Sequence, residues 1–346
     1  MYVLVLRNRE PLSYGEESVG VKTLIKKISI LLPERGEVVQ VPAILGNGLR
    51  GVLRDIMTYV FLEKVAEKAK GEKKSVEVDA RVFLLMLTGG VLKRRGEEQI
   101  TAKSIGNLRE KVELLPPLSS MGFALSNVMI PSKIKVSVFY PISKETFSLV
   151  KDLVERVKNN LSTVSFDKLK EISVNDLVGE VQMMHKDDVS KLTSLHLENI
   201  NIPNIDLADT IRGRSQGENT QESEETSRER TRTRLQAIFQ REYVLPGTVF
   251  IGYISEIVPL TDVERELLAL GIKRLEEDSG VGGAVARGFG SFIIEHNELA
   301  KYIKENESKL DKFVKEKLNN ILDVLKSDPE TWLSQSSKGV KTATAQ

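Results

Sequence analysis

Two arginines one helical turn apart could hold a phosphate group in the segment Val41–Asp55, whose sequence is VPAILGNGLRGVLRD. Arg50 and Arg54 would point from the same face of a helix, because residues at this spacing are neighbours on a helical surface. Each guanidinium offers a planar set of donors that matches a phosphate or a carboxylate. The spacing therefore predicts an anion-binding face. The alternative is a strand-to-helix turn with a solvated arginine face.

The start of the same helix would add backbone donors to this face. Asn47 is predicted to be the N-cap, and Gly46 and Gly48 would let backbone amides approach a ligand closely. A helix N-terminus presents unpaired N–H groups and the positive end of the helix dipole, both of which favour anions. Phosphate is therefore the predicted ligand of this turn.

A second glycine-rich stretch, GVGGAVARGFG, carries five glycines around Arg287 between Gly280 and Gly290. Turn geometry alone does not require so many glycines, so we expect close approach of the backbone to a ligand or a neighbouring subunit, including at Gly282 and Gly283. The alternative is the phosphate loop of a metabolic nucleotide-binding protein. Such a loop follows a strand and opens a helix, whereas this one precedes a predicted strand and lacks the Lys-Ser/Thr ending.

Other basic residues are candidates for contact with a polyanion. The segment Gly213–Arg234 contains no hydrophobic residue, so it is predicted to be a mobile insertion inside a domain. Arginines at every second position in this segment would lie on one side of an extended chain, and the alternative is a disordered loop whose glutamates balance them. A basic loop after a double glycine has a solvated turn as its alternative. The candidates are Arg228, Arg230, Arg232 and Arg234 of the insertion, Lys93, Arg94 and Arg95 of the basic loop, and Lys22, Lys26 and Lys186.

The composition bounds the function classes. The chain has 346 residues, 40% of them hydrophobic and 29% charged, with a formal net charge of +1. Any nucleic-acid contact must therefore depend on local clusters of Lys and Arg. The absence of cysteine excludes disulfides, thiol nucleophiles and thiolate metal sites. The same absence indicates a reducing, cytoplasmic environment. No apolar run approaches the roughly 18 residues of a membrane span, so we expect no membrane contact. No cofactor is expected.

The hydrophobic pattern alternates strands and helices. Predicted strands are Tyr2–Leu6, Thr23–Leu32, Val38–Val41, Ile134–Tyr140, Val178–Met184, part of Arg241–Ile257, and Ser291–Glu295. Predicted helices are Asn47–Lys70, Thr101–Glu113, Glu145–Asn159, Asp262–Glu277, capped by Thr261, and Lys301–Lys326. Arg7–Val21 is predicted to be a loop, and the two prolines after Leu115 should prevent a continuing helix. The tail from Ser327 is predicted to be disordered apart from Trp332, whose exposure would indicate a docking contact.

Five segments in their order resemble the RAMP superfamily of CRISPR-associated proteins. Within it, the chain resembles the guide-RNA-binding backbone subunit (seven-family) of class 1 effector complexes, closest to types I-D and IV. The segments are VPAILGNGLRGVLRD (Val41–Asp55), LLPPLSSMGFALSNVMIPSKIKV (Leu114–Val136), QMMHKDD (Gln182–Asp188), LQAIFQREYVLPGTVF (Leu235–Phe250) and GGAVARGFGSF (Gly282–Phe292).

The resemblance implies an α+β fold, with a ferredoxin-like, RRM-related palm, an inserted thumb and additional helical insertions. It divides the chain into 1–60, the first part of the palm; 61–133, a helical and loop insertion; 134–186, palm strands and a surface helix; 187–234, a thumb-like flexible insertion; 235–296, the completion of the palm with the glycine-rich loop; and 297–346, a C-terminal helix and a disordered tail. The implied function is non-catalytic binding of guide RNA (crRNA), with identical subunits joined head-to-tail. Other effector subunits and a target nucleic acid would be further partners.

One departure from the family bears on catalysis. The type III backbone subunit cleaves target RNA with an aspartate in the loop after its first strand, whereas the loop here offers Glu10, Glu16 and Glu17. The alternative function is a metal-dependent endoribonuclease with ligands Asp187 and Asp188 near His185. Adjacent carboxylates at a strand end point in opposite directions, which favours a solvated acidic turn over a metal site.

Overall fold

The computed structural model of the chain describes residues 1–19, 22–91, 102–161, 164–186, 236–278, 280–283, 285–303 and 308–333. The strands are β1 (Tyr2–Asn8), β2 (Gly15–Val19), β3 (Lys22–Ile25), β4 (Lys27–Leu32), β5 (Glu37–Pro42), β6 (Gly90–Val91), β7 (Phe123–Leu125), β8 (Val128–Ile130), β9 (Ile134–Val136), β10 (Tyr140–Pro141), β11 (Val178–Lys186), β12 (Gln236–Val244), β13 (Val249–Glu256) and β14 (Phe292–Asn297). The helices are α1 (Gly46–Gly71), α2 (Ala80–Thr88), α3 (Ala102–Glu113), α4 (Pro116–Met121), α5 (Phe147–Val157), α6 (Phe166–Leu169), α7 (Asp262–Asp278) and α8 (Lys309–Lys326).

The palm is an antiparallel sheet in the order β14-β1-β13, with β9 and β10 both paired to the other edge of β13. The chain visits these elements as β1, α1, β9 and β10, β13, α7 and β14, which is the β-α-β-β-α-β succession of a ferredoxin-like fold. This arrangement confirms the predicted α+β fold class. The two predicted palm helices are α1 and α7.

Each face of the palm sheet is covered by helices. Alternate residues of β1 divide between the faces, as the two-residue period of a strand requires. Leu4 and Leu6 belong to the main core with α1 and α7. Val3 and Val5 belong to a second cluster that includes Val150 of α5. α5 covers this face of the sheet. Bases therefore cannot stack on this face as they do on the sheets of RRM domains.

A second sheet forms the base of the predicted thumb, in the order β11-β12-β3-β2. β11 and β12 pair antiparallel from Val178 with Val244 to Lys186 with Gln236, and β3 pairs parallel with β12. The prediction of a loop over Arg7–Val21 is wrong in part, because β2 pairs with β3 there.

The predicted strand Thr23–Leu32 divides at Lys26, whose backbone N–H donates to the Tyr14 carbonyl at 3.0 Å. Its first half, β3, joins the thumb-base sheet, and its second half, β4, forms a hairpin with β5. The single-strand prediction is therefore wrong, whereas the predicted pairing with Val38–Val41 is confirmed.

Two predictions about helix termini are confirmed. Thr261 is confirmed as a cap, because its hydroxyl accepts from the Glu264 N–H at 3.2 Å and its own N–H donates to the Glu264 carboxylate at 2.8 Å. The prolines after Leu115 do not continue α3, which ends at Glu113, and they begin the separate helix α4, since proline is tolerated in the first turn. Within the described ranges, no helix is long and apolar enough to cross a membrane.

The prediction that Trp332 is exposed is wrong. The Trp332 side chain is fully buried in the main core, and its Nε1 donates to the Ser327 hydroxyl at 2.7 Å. A short 3-10 helix over Pro329–Trp332 brings the indole to this place. Trp332 therefore docks within its own chain.

Candidate nucleic-acid interface

The first glycine motif forms the junction between β5 and α1. α1 begins at Gly46 with Leu45 as its N-cap, without a side-chain hydrogen bond. The prediction of Asn47 as N-cap is therefore wrong, and Asn47 lies exposed inside the first turn. A Cβ on Gly46 would lie 2.2 Å from the Val136 carbonyl oxygen, so β9 requires this glycine. A Cβ on Gly48 would meet no atom within 4 Å, which leaves the backbone accessible at that position.

The two arginines of this motif have different environments. Arg54 is buried, and its guanidinium donates to the carbonyls of Gly122 at 2.8 Å and Met121 at 2.9 Å. Burial, and then the nearby charge of Arg50, lower the pKa of Arg54. The prediction that both arginines lie on one anion-binding face is wrong, because Arg54 serves the interior. Arg50 is partly exposed and stays a candidate.

The glycine-rich loop approaches the chain's own backbone at several points. The Gly283 N–H donates to the Ser13 carbonyl at 2.7 Å, and the Gly290 N–H donates to the Pro11 carbonyl at 2.9 Å. Gly282 has a φ of 98°, and a Cβ there would lie 2.8 Å from the Ser13 carbonyl oxygen. A Cβ on Gly290 would likewise lie 2.3 Å from the Val281 carbonyl oxygen. Gly282 and Gly290 are therefore required by contacts within the chain, which corrects the expectation that a ligand or a neighbouring subunit explains all of these glycines. At Gly288 a Cβ would meet no atom within 4 Å.

Tyr14 joins the two glycine motifs. Its hydroxyl donates a hydrogen bond to the carbonyl of Ala43, just before α1. Its Cβ lies 3.0 Å from the position that a Cβ on Gly282 would take. Burial raises the pKa of the Tyr14 phenol. The start of α1 and the glycine-rich loop are distant in sequence, but the Tyr14 side chain brings them together in the fold. The sequence interpretation missed this residue.

The glycine-rich loop lies against β12 of the thumb-base sheet. Arg241 Nη1 donates to the Ser13 hydroxyl at 3.4 Å and lies 3.2 Å from the position of a Cβ on Gly283. Two residues further on, the Tyr243 ring meets Phe289 edge-on at 6.4 Å. Strand alternation could have indicated that Arg241 and Tyr243 share a face of β12. The sequence carries no signal that this face meets the glycine-rich loop. Arg287 itself is exposed in a 3-10 turn of the loop.

The other described basic candidates belong to the thumb-base sheet or its border. Lys22 forms ion pairs with Glu180 at 2.6 Å and with Glu242 at 3.7 Å. The hydrogen bond to Glu180 raises the pKa of Lys22. Lys26 lies at the bend after β3, and Lys186 is the last residue of β11. Lys22 is thus already paired with carboxylates, and its contact with RNA stays a prediction.

Several predicted residues lie outside the described ranges. These are Lys93, Arg94 and Arg95, the arginines Arg228, Arg230, Arg232 and Arg234, and the alternative metal ligands Asp187 and Asp188. Among the residues that the structure does describe, no group of three or more His, Asp or Glu side chains could hold a metal ion.

Comparisons with known proteins bear on both fold and family. A chain of a solved structure described as "Type IV-B CRISPR Complex" has a similar fold, with a TM-score of 0.52 and 14% sequence identity, covering 90% of this chain and 96% of that chain. No curated protein matches the chain. The sequence model of the RAMP superfamily matches residues 25–293, which include β4 to α1, the thumb-base hairpin and the glycine-rich loop. Because this match covers most of its length, the chain belongs to the RAMP superfamily.

Proposed function

We propose that this chain is a CRISPR effector subunit that binds guide RNA without cleaving it and associates head-to-tail with identical copies along that RNA. The observation that carries the proposal is the meeting of the α1 start and the glycine-rich loop at Tyr14. The similarity of the fold to a chain of a type IV-B CRISPR complex supports the same assignment. Other effector subunits and a target nucleic acid are the further proposed partners, in the cytoplasm.

Backbone phosphates are the proposed points of contact with RNA. The partly exposed Arg50 on α1 and the exposed Arg287 of the glycine-rich loop supply cationic groups near accessible backbone. The exposed glycines Gly48 and Gly51 of α1 have no atom within 4 Å of a built Cβ, so a phosphate could approach the helix closely. With the outer sheet face covered by α5, grip on the sugar-phosphate backbone replaces base stacking as the main source of affinity.

With head-to-tail association, the length of the RNA would determine the size of the assembly. An interface between two different surfaces of the same subunit does not close on itself unless the rotation permits it, and otherwise continues as an open filament. RNA length would then set the number of subunits. In the family that the chain resembles, the thumb reaches the neighbouring subunit, and we propose that the insertion between β11 and β12 does the same here.

Purification from a recombinant host, with and without ribonuclease, tests the proposal. We expect co-purifying RNA and assemblies of varied mass by light scattering, which ribonuclease reduces to smaller species. The double variant Arg50→Ala, Arg287→Ala should carry less RNA, whereas Lys170→Ala, which removes a surface lysine paired with Asp167, should behave as the unaltered protein. A monomer free of RNA under all these conditions would contradict the proposal.

The same preparation separates binding from catalysis. Labelled RNA incubated with Mg²⁺ or Mn²⁺ should remain intact. Metal-dependent decay that Asp187→Ala abolishes would instead establish the ribonuclease alternative, because this residue is the first of its two proposed carboxylate ligands.

A further inference from the structure

The Arg241 side chain presents a cation to the glycine-rich loop without a carboxylate partner in the described part of the chain. It lies partly buried on β12, where its Nη1 donates a long hydrogen bond of 3.4 Å to the Ser13 hydroxyl. A hydroxyl neutralises no charge. A partly desolvated guanidinium in this situation is stabilised when an anion can reach it.

The next residue on β12, Glu242, differs from Arg241 in having partners of opposite charge. Glu242, the next residue, points to the other side of the sheet, where it pairs with Lys22 at 3.7 Å and Lys27 at 3.5 Å. The carboxylate of the strand is therefore satisfied by lysines on one face, while Arg241 is left on the face that meets the loop. Strand alternation enforces this separation, so Glu242 cannot turn to neutralise Arg241.

The glycine opposite Arg241 makes room for the guanidinium beside the loop backbone. A Cβ on Gly283 would lie 3.2 Å from Arg241 Nη1, which is tighter than an ordinary contact. The Gly283 N–H is fixed by the Ser13 carbonyl at 2.7 Å, so the loop backbone is held at this distance. A methyl group at position 283 would press on the guanidinium, so glycine allows Arg241 to lie against the loop.

We infer that Arg241 binds a phosphate of single-stranded RNA at the joint between the thumb-base sheet and the glycine-rich loop. This inference rests on the proposed function and names a contact that the loop's own arginine, Arg287, does not supply. A phosphate between Arg241 and the loop would also fix the position of β12 relative to the glycine-rich loop.

Fluorescence anisotropy of the full chain with a labelled single-stranded RNA, measured over a range of salt concentrations, tests the inference. Arg241→Ala should weaken binding about tenfold at moderate salt, because a lost charge-assisted contact commonly costs this much. The slope of log K against log salt should fall by about 0.7, the value for one phosphate contact on a single strand. Arg241→Lys should retain most of the slope since it retains the charge, and Arg241→Gln should not.

Two comparisons make the result specific. Arg156→Ala removes a surface arginine that pairs with Glu298 at 2.7 Å, and it should leave affinity and slope unchanged. Gly283→Ala should weaken binding less than Arg241→Ala, and the double variant should bind no more weakly than Arg241→Ala alone, because both changes act on one contact. Additive losses would overturn the proposed link between Gly283 and Arg241.

The outcomes separate this inference from the proposed function. If Arg50→Ala and Arg287→Ala weaken RNA binding while Arg241→Ala with an unchanged unfolding curve does not, Arg241 makes no phosphate contact and the inference is overturned. If the unaltered chain fails to bind RNA at low salt, both the proposed function and the inference that rests on it are contradicted. A loss of binding in Arg241→Ala that Arg241→Lys also shows, with a lowered unfolding temperature in both, would assign Arg241 a structural role.

Discussion

Arg54 Nη1 donates a 2.8 Å hydrogen bond to the carbonyl of Gly122, and this contact separates the roles of the two arginines of α1. A Cβ on Gly89 would lie 2.8 Å from the Arg54 Cζ atom, so the turn after α2 also closes over the guanidinium. Arg54 therefore joins α1 to the α2–β6 and α4–β7 connections. Arg50, one turn earlier, is only partly buried.

Arg54→Ala should lower the free energy of unfolding by about 2–4 kcal/mol, because it leaves the carbonyls of Gly122 and Met121 buried without donors and opens a cavity. Urea denaturation followed by circular dichroism measures the change. RNA affinity per folded molecule should stay the same. Arg50→Ala is the matched comparison: a change of less than about 0.5 kcal/mol in stability with weaker RNA binding. Equal effects of the two substitutions on affinity would contradict the separation.

Arg50→Ala and Arg287→Ala should each weaken RNA binding irrespective of sequence and lower the salt slope by about 0.7, as expected for one phosphate contact. Titrations of a polyuridine and a polyadenosine strand at several salt concentrations give both quantities. A variant that changes the preference between the two strands, with the salt slope unaltered, would show that the arginine contacts bases.

Gly51→Ala should raise the free energy of unfolding by about 0.5–1 kcal/mol, because alanine is the better helix former and a Cβ there meets no atom within 4 Å. Under the proposed function, the added methyl group should also weaken RNA binding by obstructing close approach. Gly46→Ala provides the contrast, since its Cβ would lie 2.2 Å from the Val136 carbonyl oxygen and should destabilise the protein. Unchanged RNA affinity in a stabilised Gly51→Ala variant would place the RNA elsewhere.

The sequence predicted helices and strands with a clear hydrophobic period better than it predicted why a particular residue, such as a glycine, is needed at its position. α1, α5, α7 and β1 follow from hydrophobic repeats, and the Thr261 cap follows from its Thr-x-x-Glu pattern. Gly46 and Gly282 were interpreted as places for a ligand because a sequence cannot show that Val136 or Ser13 comes close to them from another segment. These contacts depend on the tertiary structure, which is why the interpretations of Gly46 and Gly282 both needed correction.

The candidate site shows the same division. The basic character of α1 and of the glycine-rich loop was evident in the sequence, but the burial of Arg54 depends on α4 closing over it. Tyr14 and Arg241 were missed because neither belongs to a motif whose spacing indicates chemistry. Each is significant only through its contacts with Ala43, Gly282 or Gly283, residues that are remote along the chain.

Stability should depend on Glu256 at acidic pH. The two hydrogen bonds from Arg265, at 2.8 and 3.0 Å, lower the pKa of the Glu256 carboxyl to about 2, with further help from the Tyr2 hydroxyl. A folded-state pKa below the unfolded value near 4.5 means that the ionised group stabilises the fold above that pH. The contribution, at most about 3 kcal/mol, should be lost as pH falls from about 4.5 toward about 2.

Glu256→Gln should flatten this part of the stability profile, because the amide does not titrate. Urea denaturation between about pH 7 and about pH 3 should show the two proteins differing most at neutral pH and converging as the pH falls. Asp167→Asn is the control: the Lys170 hydrogen bond lowers the pKa of Asp167, yet that carboxylate is 89% exposed, so solvent screens the pair. A difference between Glu256→Gln and the unaltered protein that is constant over the whole pH range would show that the carboxylate acts by shape and hydrogen bonding alone. Convergence at low pH, absent for Asp167→Asn, would identify the charge of Glu256 as the element that ties the end of β13 to α7.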